Sequence, residues 1–289
     1  MIKKILILVQ LLRVKQWIKN FFIFFPLIFS GQFYDFDFLL RTIITFAAFC
    51  FVTSGIYVFN DCLDIKRDRA HPRKKDRPLA SLNICPWAAA VTILSLVAAG
   101  LFCARLVDSQ VVMMALVYVG LNVIYNLFAK RVVILDVIFI ALGFQIRVWA
   151  GSLAIGILPS VWLQLCVFLL SLFLGFSKRR NEIAVLKDKA SEHRVVLSHY
   201  NLYLLDQIIA ICSTLTIVFY GLYAMSTAPQ GPDYMVYSII FVIYGIFRYL
   251  YLIHVKKLCV DASEIIFSDF PFFINILCWT FYIVFILYF

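Results

Sequence analysis

The sequence has few charged residues for its length. Only 15% of its 289 residues are Asp, Glu, Lys or Arg, whereas 64% are apolar and the mean hydropathy is +0.95. A water-soluble domain carries about 25% charged residues, because its surface must be solvated. The shortage of charge therefore excludes a soluble globular domain and indicates an integral membrane protein.

The sequence also lacks the residue spacings of metal and disulfide centres. Its eight cysteines are scattered singly, without a CxxC pair, which argues against a zinc site, an iron–sulfur cluster or a disulfide framework. His193 and His199 lie in a polar segment without matching ligands, so no metal site is expected there. No linker or low-complexity stretch divides the chain, and we expect a single domain over residues 1–289.

Long apolar runs are what the sequence has in place of charge. A transmembrane helix requires about 20 mostly apolar residues. Nine such segments are expected, near residues 18–34, 39–59, 86–104, 110–128, 133–154, 160–177, 203–226, 234–253 and 271–289. Because lipid satisfies no backbone polar group and no run alternates as a barrel strand does, the segments should be helices. The predicted fold class is all-α integral membrane with nine transmembrane helices.

Lys and Arg residues are concentrated on one side of these spans. Under this assignment 22 of the 26 lie in segments 1–19, 66–77, 130–131, 178–194 and 256–257. By the positive-inside rule that side is cytoplasmic, which places the N-terminus inside and the C-terminus outside the inner membrane. The net charge of +10 describes this one face and suits an anionic lipid or substrate, whereas nucleic-acid binding is not expected.

The first 20 residues resemble a signal peptide, with a basic start and a short apolar run. Arg13, Lys15 and Lys19 follow where a small-residue cleavage site should stand, so we expect the segment to stay uncleaved. An in-plane helix that leads into the first span is the expected structure.

An acidic motif follows the second span, in the stretch NDCLDIKRDRAHPRKKDRPLA at residues 60–80. On a helix, four of its side chains fall within an arc of roughly 100°: Asn60, Asp61, Asp64 and Asp68. Three anions on one face repel unless a cation joins them, and hard oxygen ligands suit Mg²⁺ together with a substrate phosphate. The alternative is pairing of the acids with Lys66, Arg67 and Arg69 in an ordinary charged loop.

This stretch resembles the NDxxDxxxD motif, followed by an Arg-Pro pair that begins here at Arg77, of the UbiA-type prenyltransferase superfamily. Members have nine transmembrane helices around a central cavity that is open to the cytoplasm and to lipid, and their aspartates hold Mg²⁺ on a diphosphate leaving group. The resemblance implies that Asp61, Asp64 and Asp68 are catalytic and that Asn60 joins them as a metal ligand.

Other segments are similar to the decaprenyl-phosphate phosphoribosyltransferase branch of that superfamily. They are LLRVKQWIKNFFIFFPLIFSG (11–31), YNLFAKRVVILDVIFIALGFQIRVWAG (125–151), SKRRNEI (177–183), and FRYLYLI with DASEIIFSD (within 247–269). This branch transfers a phosphoribosyl group from phosphoribosyl pyrophosphate to a polyprenyl phosphate and releases diphosphate. The resemblance implies a Mg²⁺-dependent transferase for cell envelope biosynthesis whose partners are those two substrates and the bilayer.

One departure from the superfamily pattern favours this branch. Prenyl-transferring members usually carry a second motif, DxxxD, after the sixth span, whereas residues 178–194 read KRRNEIAVLKDKASEHR. Glu182 is the nearest acid there, and Lys178 and Arg179 are among its basic neighbours, which suits a donor with an additional phosphate. Prenyl transfer to an aromatic or other small acceptor is the alternative. A transporter or flippase would instead show ionisable residues near the midplane and a repeat between halves.

Further polar residues are candidates for binding substrate phosphate. Arg147 and Arg248 lie inside predicted spans, where a cation usually faces a cavity or a partner such as Asp136, although Arg248 could also snorkel. The other candidates lie near the cytoplasmic ends of the spans: Lys15, Gln16, Lys19, Asn20, Arg77, Tyr125, Lys130 and Arg131. Topology signals and interfacial anchors are the alternative interpretation for several of these. Asp261, Glu264 and Asp269 match the branch pattern, and capping of the last helix is their alternative role.

Overall fold

The computed structural model describes residues 9–70, 77–81, 85–186, 195–226, 232–256, 265 and 268–289. Within these ranges the chain is built from helices and contains no strand. The α-helices are α1 (Phe25–Phe29), α2 (Phe36–Ala70), α3 (Pro78–Ser81), α4 (Pro86–Val107), α5 (Ser109–Leu127), α6 (Leu135–Ile155), α7 (Val161–Leu186), α8 (Leu202–Ser226), α9 (Pro232–Tyr237), α10 (Ile239–His254) and α11 (Phe270–Tyr288). Three 3₁₀ helices accompany them, at Val14–Phe24, Ala129–Arg131 and Val195–His199.

Eight segments in the described ranges are long and apolar enough to cross a membrane. They are Phe36–Ile65, Trp87–Val107, Ser109–Arg131, Leu135–Ile155, Val161–Val185, Leu202–Ser226, Tyr234–His254 and Phe270–Tyr288. They correspond in order to the last eight of the nine expected spans, so the prediction of an all-α, multi-pass membrane protein is confirmed.

The first expected span, residues 18–34, has a different structure, and the expected count of nine is corrected to eight for the part of the chain that is described. It consists of the 3₁₀ helix Val14–Phe24 and the short helix α1. Pro26 lies in the first turn of α1 and has no backbone N–H, so it cannot continue a hydrogen-bond ladder from the preceding residues. An apolar run that hydropathy predicts as one helix is therefore divided in two.

The chain divides into two compact units. The first comprises Met1–Leu127 and Ile146–Leu158, and the second comprises Phe128–Gln145 and Pro159–Phe289. The division falls inside α6, between Gln145 and Ile146. Each unit has its own buried apolar cluster.

Close backbone contacts organise the first unit. A Cβ atom added to Gly100 of α4 would lie 2.8 Å from the carbonyl oxygen of Ala48 on α2, and one added to Gly151 of α6 would lie 2.0 Å from that of Ile23. Both distances are too short for a side chain, so these glycines permit the helices to approach closely, as small residues do within membranes. The 3₁₀ helix Val14–Phe24 is thereby held against α6.

The second unit has its core where α7, α8 and α10 pack together with the first turns of α6. Its fully buried side chains include Val137, Phe173, Leu205, Leu252 and Ile265. Lys178, Arg179 and Arg180 lie near the C-terminal end of α7, so the packing of this unit determines where those three cations lie.

Candidate functional site

The acidic motif is a direct continuation of a membrane-spanning helix. α2 runs for 35 residues without a break and ends at Ala70, beyond the expected end of its span at residue 59. Asp61 and Asp68 are seven residues apart on it, which is about two turns, so their side chains leave the helix on the same line. Both are buried, with side-chain exposures of 8% and 5%.

Two arginines hold these carboxylates. Nη1 of Arg77 donates to Oδ1 of Asp61 at 3.0 Å and to Oδ2 of Asp68 at 2.7 Å. Nη2 of Arg13 also donates to Oδ1 of Asp61, and the Arg13 guanidinium lies 4.9 Å from the centre of the Tyr57 ring. Buried carboxylates require such partners, since an uncompensated buried charge is costly. Two aspartates and two arginines, each arginine able to donate two parallel hydrogen bonds, are therefore assembled at one end of α2.

The structure brings together two of the three predicted catalytic carboxylates. Asp64 and Asn60 are half-buried on the same helix, and the described ranges contain no group of three or more His, Cys, Asp or Glu side chains close enough to hold a metal. The partners seen for Asp61 and Asp68 are Arg13 and Arg77, which lie 48 and 9 to 16 residues away in sequence. Carboxylate and amide oxygens on one helix face are the ligand types that a divalent cation such as Mg²⁺ prefers, whereas Asp61 and Asp68 are paired with arginines in this structure.

The predicted anion-binding residues of the N-terminal segment lie on the 3₁₀ helix Val14–Phe24. Lys15 is exposed, Gln16 and Lys19 are half-buried, and Asn20 is fully buried. Arg13 precedes this helix with φ of +50°, a left-handed conformation that is unusual for a residue with a side chain. The left-handed conformation thus occurs at the residue whose side chain binds Asp61.

Arg147 forms a buried polar cluster in the first unit. Its Nε donates to Oδ1 of Asn20 at 2.7 Å, and its Nη2 donates to the hydroxyl of Tyr118 at 2.9 Å. The alternative interpretation, in which Asp136 is the partner of Arg147, is wrong, because Asp136 pairs with Arg179. Eleven residues of α-helix correspond to about 16 Å, too far for a direct contact along α6. Arg147 and Asn20, both predicted to bind phosphate, lie in contact with each other.

The predicted residues on α7 differ in exposure and in partners. Lys178 is half-buried, whereas the side chain of Arg179 is only 1% exposed and contacts both Asp136 and Glu182. The neighbouring Arg180 donates through Nε to Oδ1 of Asp206 on α8 at 2.8 Å. Arg179 and Arg180 are thus held by specific acids in the second unit.

Arg248 on α10 is joined to Asp269 by two hydrogen bonds of 3.0 and 2.9 Å. Asp269 also accepts from the backbone N–H of Phe272 at 3.0 Å, so the expected capping of the last helix is confirmed for this residue. The Arg248 hydrogen bonds lower the pKa of Asp269, and its charge therefore persists under mildly acidic conditions. Asp261 and Glu264 lie outside the described residues.

Tyr125, Lys130 and Arg131 lie where α5 ends. Tyr125 is half-buried on α5, and the two bases belong to the 3₁₀ helix Ala129–Arg131, with Lys130 half-buried and Arg131 exposed. Tyr125 belongs to the first unit, and Lys130 and Arg131 belong to the second.

Several polar residues in these clusters were not singled out as site residues by the sequence. They are Arg13, Tyr57, Tyr118, Tyr200, Asp206 and His254. Arg13 was counted only as a topology-setting base, and tyrosines are common in membrane proteins, so neither residue type gave a specific signal. Asp206, near the start of a span, was the residue whose role could best have been recognised from the sequence, because acids are rare in apolar segments.

Comparison with known proteins agrees with this architecture. The UbiA prenyltransferase family model matches residues 21–285. The decaprenyl-phosphate phosphoribosyltransferase of Mycolicibacterium smegmatis is 32% identical over 223 residues, which cover 76% of this chain and 70% of the relative. The protein of the same name from Corynebacterium glutamicum is 30% identical over 252 residues, covering 84% and 75% respectively.

Among solved structures, a UbiA homolog from Archaeoglobus fulgidus bound to GPP and Mg²⁺ superposes with a TM-score of 0.73. The superposition covers 96% of this chain and 98% of that one at 18% identity, and it supports the fold alone. Since the family model covers most of the sequence and the helical membrane fold is the same, this chain is a transferase that belongs to the UbiA prenyltransferase family.

Proposed function

We propose that this transferase moves a 5-phosphoribosyl group from phosphoribosyl pyrophosphate to the phosphate of a decaprenyl-like polyprenyl lipid and releases diphosphate. The observation that carries the proposal is the cluster of Asp61, Asp68, Arg13 and Arg77 at the end of α2. Acids that suit a divalent cation, beside guanidiniums that suit phosphate, are what a diphosphate donor requires. The names of two relatives support the choice of substrates.

Four residues of α2 would hold Mg²⁺: Asn60, Asp61, Asp64 and Asp68. When bound, the ion would supply positive charge to the departing diphosphate. The chain's own contribution is to keep these oxygens on one continuous helix, where Asp61 and Asp68 are already oriented by shared hydrogen bonds. A metal is also present in the solved homolog from Archaeoglobus fulgidus.

Arginine side chains would orient the donor. Arg77 and Arg13 can each present two parallel N–H groups to a phosphate, a geometry that lysine does not offer. The remaining candidates for phosphate contact in this proposal are Lys15, Gln16, Lys19, Asn20, Tyr125, Lys130, Arg131, Arg147, Lys178, Arg179, Glu182 and Arg248. Arg147 and Asn20 are hydrogen-bonded to each other, as are Arg179 and Glu182, and Arg248 is bound to Asp269, so a rearrangement or an indirect role would be required of these five.

The proposed reaction is a glycosyl transfer. The bond between C1 of the ribose and the diphosphate oxygen breaks, the electron pair leaves with diphosphate, and positive charge develops on the sugar. An oxygen of the lipid phosphate forms the new bond to C1 and needs no strong base, since it is already anionic. The product is a phosphodiester that retains the 5-phosphate of the donor.

The topology belongs to the proposal as well. We place the N-terminus and the acidic cluster on the cytoplasmic side of the inner membrane and the C-terminus outside, following the distribution of Lys and Arg. Single cysteines introduced at residue 69 and at residue 289 of a cysteine-free variant would test it. A membrane-impermeant maleimide applied to intact cells should label only the second; labelling only of the first would reverse the orientation.

The substrate assignment can be tested directly. Purified protein in detergent with Mg²⁺ would be incubated with radiolabelled phosphoribosyl pyrophosphate plus polyprenyl phosphate, and separately with prenyl diphosphate plus 4-hydroxybenzoate. We expect labelled lipid from the first pair. Product from the second pair alone would overturn the phosphoribosyl assignment in favour of prenyl transfer.

A further inference from the structure

A chain of buried polar contacts runs through the second unit, from the start of α6 to the end of α7. Asp136 is fully buried, and its two carboxylate oxygens have different partners. Oδ1 accepts from the hydroxyl of Tyr200 at 2.9 Å, and Oδ2 accepts from Nε of Arg179 at 2.7 Å. Arg179 donates in turn through Nη1 to Oε2 of Glu182 at 3.2 Å. The contacts lead from a buried carboxylate to one whose side chain is 19% exposed.

The backbone beside Asp136, where these polar contacts begin, is strained. Ile134 has φ of +70°, a left-handed conformation that a β-branched residue rarely adopts. Its N–H donates to the Tyr200 hydroxyl at 2.6 Å, and that hydroxyl donates to Asp136. Strain of this kind persists only where the surroundings impose it, often at functional sites.

The contacts are costly for what they contribute to stability. Both Asp136 and Arg179 are almost completely removed from solvent, and well-packed apolar side chains often stabilise such a position equally well or better. A buried ion pair, a strained residue and a tyrosine hydroxyl together fix the orientation of one guanidinium. That guanidinium, on Arg179, in turn fixes the position of the Glu182 carboxylate, which is partly exposed.

We propose that Asp136 and Tyr200 are positioning residues of this transferase, which act through Arg179 to fix the carboxylate of Glu182 at the end of α7. Asp136 holds Nε of Arg179 and so directs Nη1 at Glu182, while Tyr200 fixes the rotamer of Asp136. The inference rests on the proposed function in that Glu182 must face the donor. Burial raises the pKa of Tyr200, assisted by the neighbouring Asp136 charge, so the hydroxyl stays protonated and remains a donor.

A double-mutant cycle tests this indirect role. Tyr200→Phe removes one hydroxyl and retains the ring that packs on Phe176. Glu182→Gln removes the negative charge of the residue at which these polar contacts end. We expect each variant to lose turnover by about 10- to 100-fold, Tyr200→Phe because the Glu182 carboxylate is misplaced and Glu182→Gln because that carboxylate is absent. The double variant should be no slower than Glu182→Gln alone, because Tyr200 would act only through Glu182.

Ser171→Ala is the matched control, since it also removes a buried hydroxyl, one that donates to the carbonyl of Val167 within α7. Its turnover should equal that of the parent protein. If the losses of Tyr200→Phe and Glu182→Gln multiply, or if Tyr200→Phe retains full activity, the proposal is overturned. Should Tyr200→Phe fail to fold, the cycle would be repeated with Asp136→Asn, and unfolding of both variants would establish a purely structural role.

The failure of this inference and that of the proposed function can be told apart. The cycle is run with whichever donor and acceptor pair the parent protein turns over. Turnover of only the prenyl diphosphate pair would refute phosphoribosyl transfer, yet the coupling between Tyr200 and Glu182 would still be measured. Multiplying losses with phosphoribosyl pyrophosphate as donor would refute the coupling alone.

Discussion

Asp61 and Asp68, two turns apart on α2, accept hydrogen bonds from the same nitrogen, Nη1 of Arg77. Two like charges that share one donor must lie close together, and their repulsion is offset by the guanidinium. The second base at Asp61, Arg13, reaches the same oxygen. The acidic motif therefore contains a preassembled pair of carboxylates.

Removal of the charge of Asp68 should stop turnover without unfolding the protein. Asp68→Asn keeps the shape of the side chain and one acceptor for Arg77, but it loses a hard anionic ligand for Mg²⁺. We expect activity to fall by about 100-fold or more, measured as product formation at saturating Mg²⁺. Asp37→Asn, in the exposed first turn of the same helix, is the control and should stay active. Full activity of Asp68→Asn would rule out its metal role.

Arg77→Ala should make stability more dependent on Mg²⁺. The substitution removes the base shared by Asp61 and Asp68 and should cost about 1–3 kcal/mol, seen as a lower melting temperature in detergent. A cation that binds both carboxylates would restore part of this loss by mass action. Added Mg²⁺ should thus raise the melting temperature of the variant more than that of the parent.

The control for this experiment is Arg41→Ala, which removes an exposed arginine from its pair with Asp37 on α2. Exposed pairs contribute little, so the melting temperature and its response to Mg²⁺ should match those of the parent protein. Equal Mg²⁺ responses in all three proteins would contradict an ion site at Asp61 and Asp68.

Gly151→Ala should destabilise the first unit. The added methyl group would lie 2.0 Å from the carbonyl oxygen of Ile23, so the 3₁₀ helix Val14–Phe24 would have to move away from α6. We expect a loss of about 1–3 kcal/mol, as for other overpacked sites. Gly120→Ala, where nothing lies within 4 Å, should instead be neutral or slightly stabilising. Similar thermal unfolding of both variants would disprove the close contact.

Acidification should weaken the attachment of α11. Because the Arg248 hydrogen bonds lower the pKa of Asp269 in the folded state, the stabilisation is complete above the ordinary Asp pKa of about 3.9. It is lost as pH falls through the lower, folded-state value, where the carboxylate takes up a proton. Unfolding in detergent between pH 6 and pH 3 should show this decline, and Asp269→Asn should be less stable at pH 6 and less sensitive to acid. An unchanged pH profile in the variant would refute the linkage.

Hydropathy was sufficient to predict the spanning helices, because each apolar run from residue 39 onwards has a length and composition that only a membrane helix satisfies. The prediction of a spanning helix was wrong for the first apolar run, residues 18–34, for a local reason. Pro26 interrupts the ladder, and an average of hydropathy does not distinguish 3.0 from 3.6 residues per turn. The position of Asp61 and Asp68 on the same face of α2 followed from helical periodicity. The contact of Arg147 with Asn20, in contrast, joins residues 127 positions apart and has no local signature in the sequence.

The ion pairs of the second unit likewise join residues that are distant in the sequence, and the sequence alone did not predict them. Asp136 was recognisable as an acid in an apolar segment, but its partner could be Arg147 or Arg179 as far as composition tells. Only the packing of α6 against α7, where Gly175 admits Val137, selects Arg179. Partner choice between distant segments depends on helix contacts, which one sequence does not encode in a readable local form.

The length of α2 has a mechanical consequence. Its 35 residues extend for about 52 Å, whereas the hydrocarbon core of a bilayer is about 30 Å thick. The carboxylates stand on the same rigid rod that is anchored in the lipid, so a tilt adopted in a thinner membrane carries them toward the headgroups. Acyl-chain length in reconstituted vesicles should accordingly tune the rate at which a lipid headgroup meets the acids.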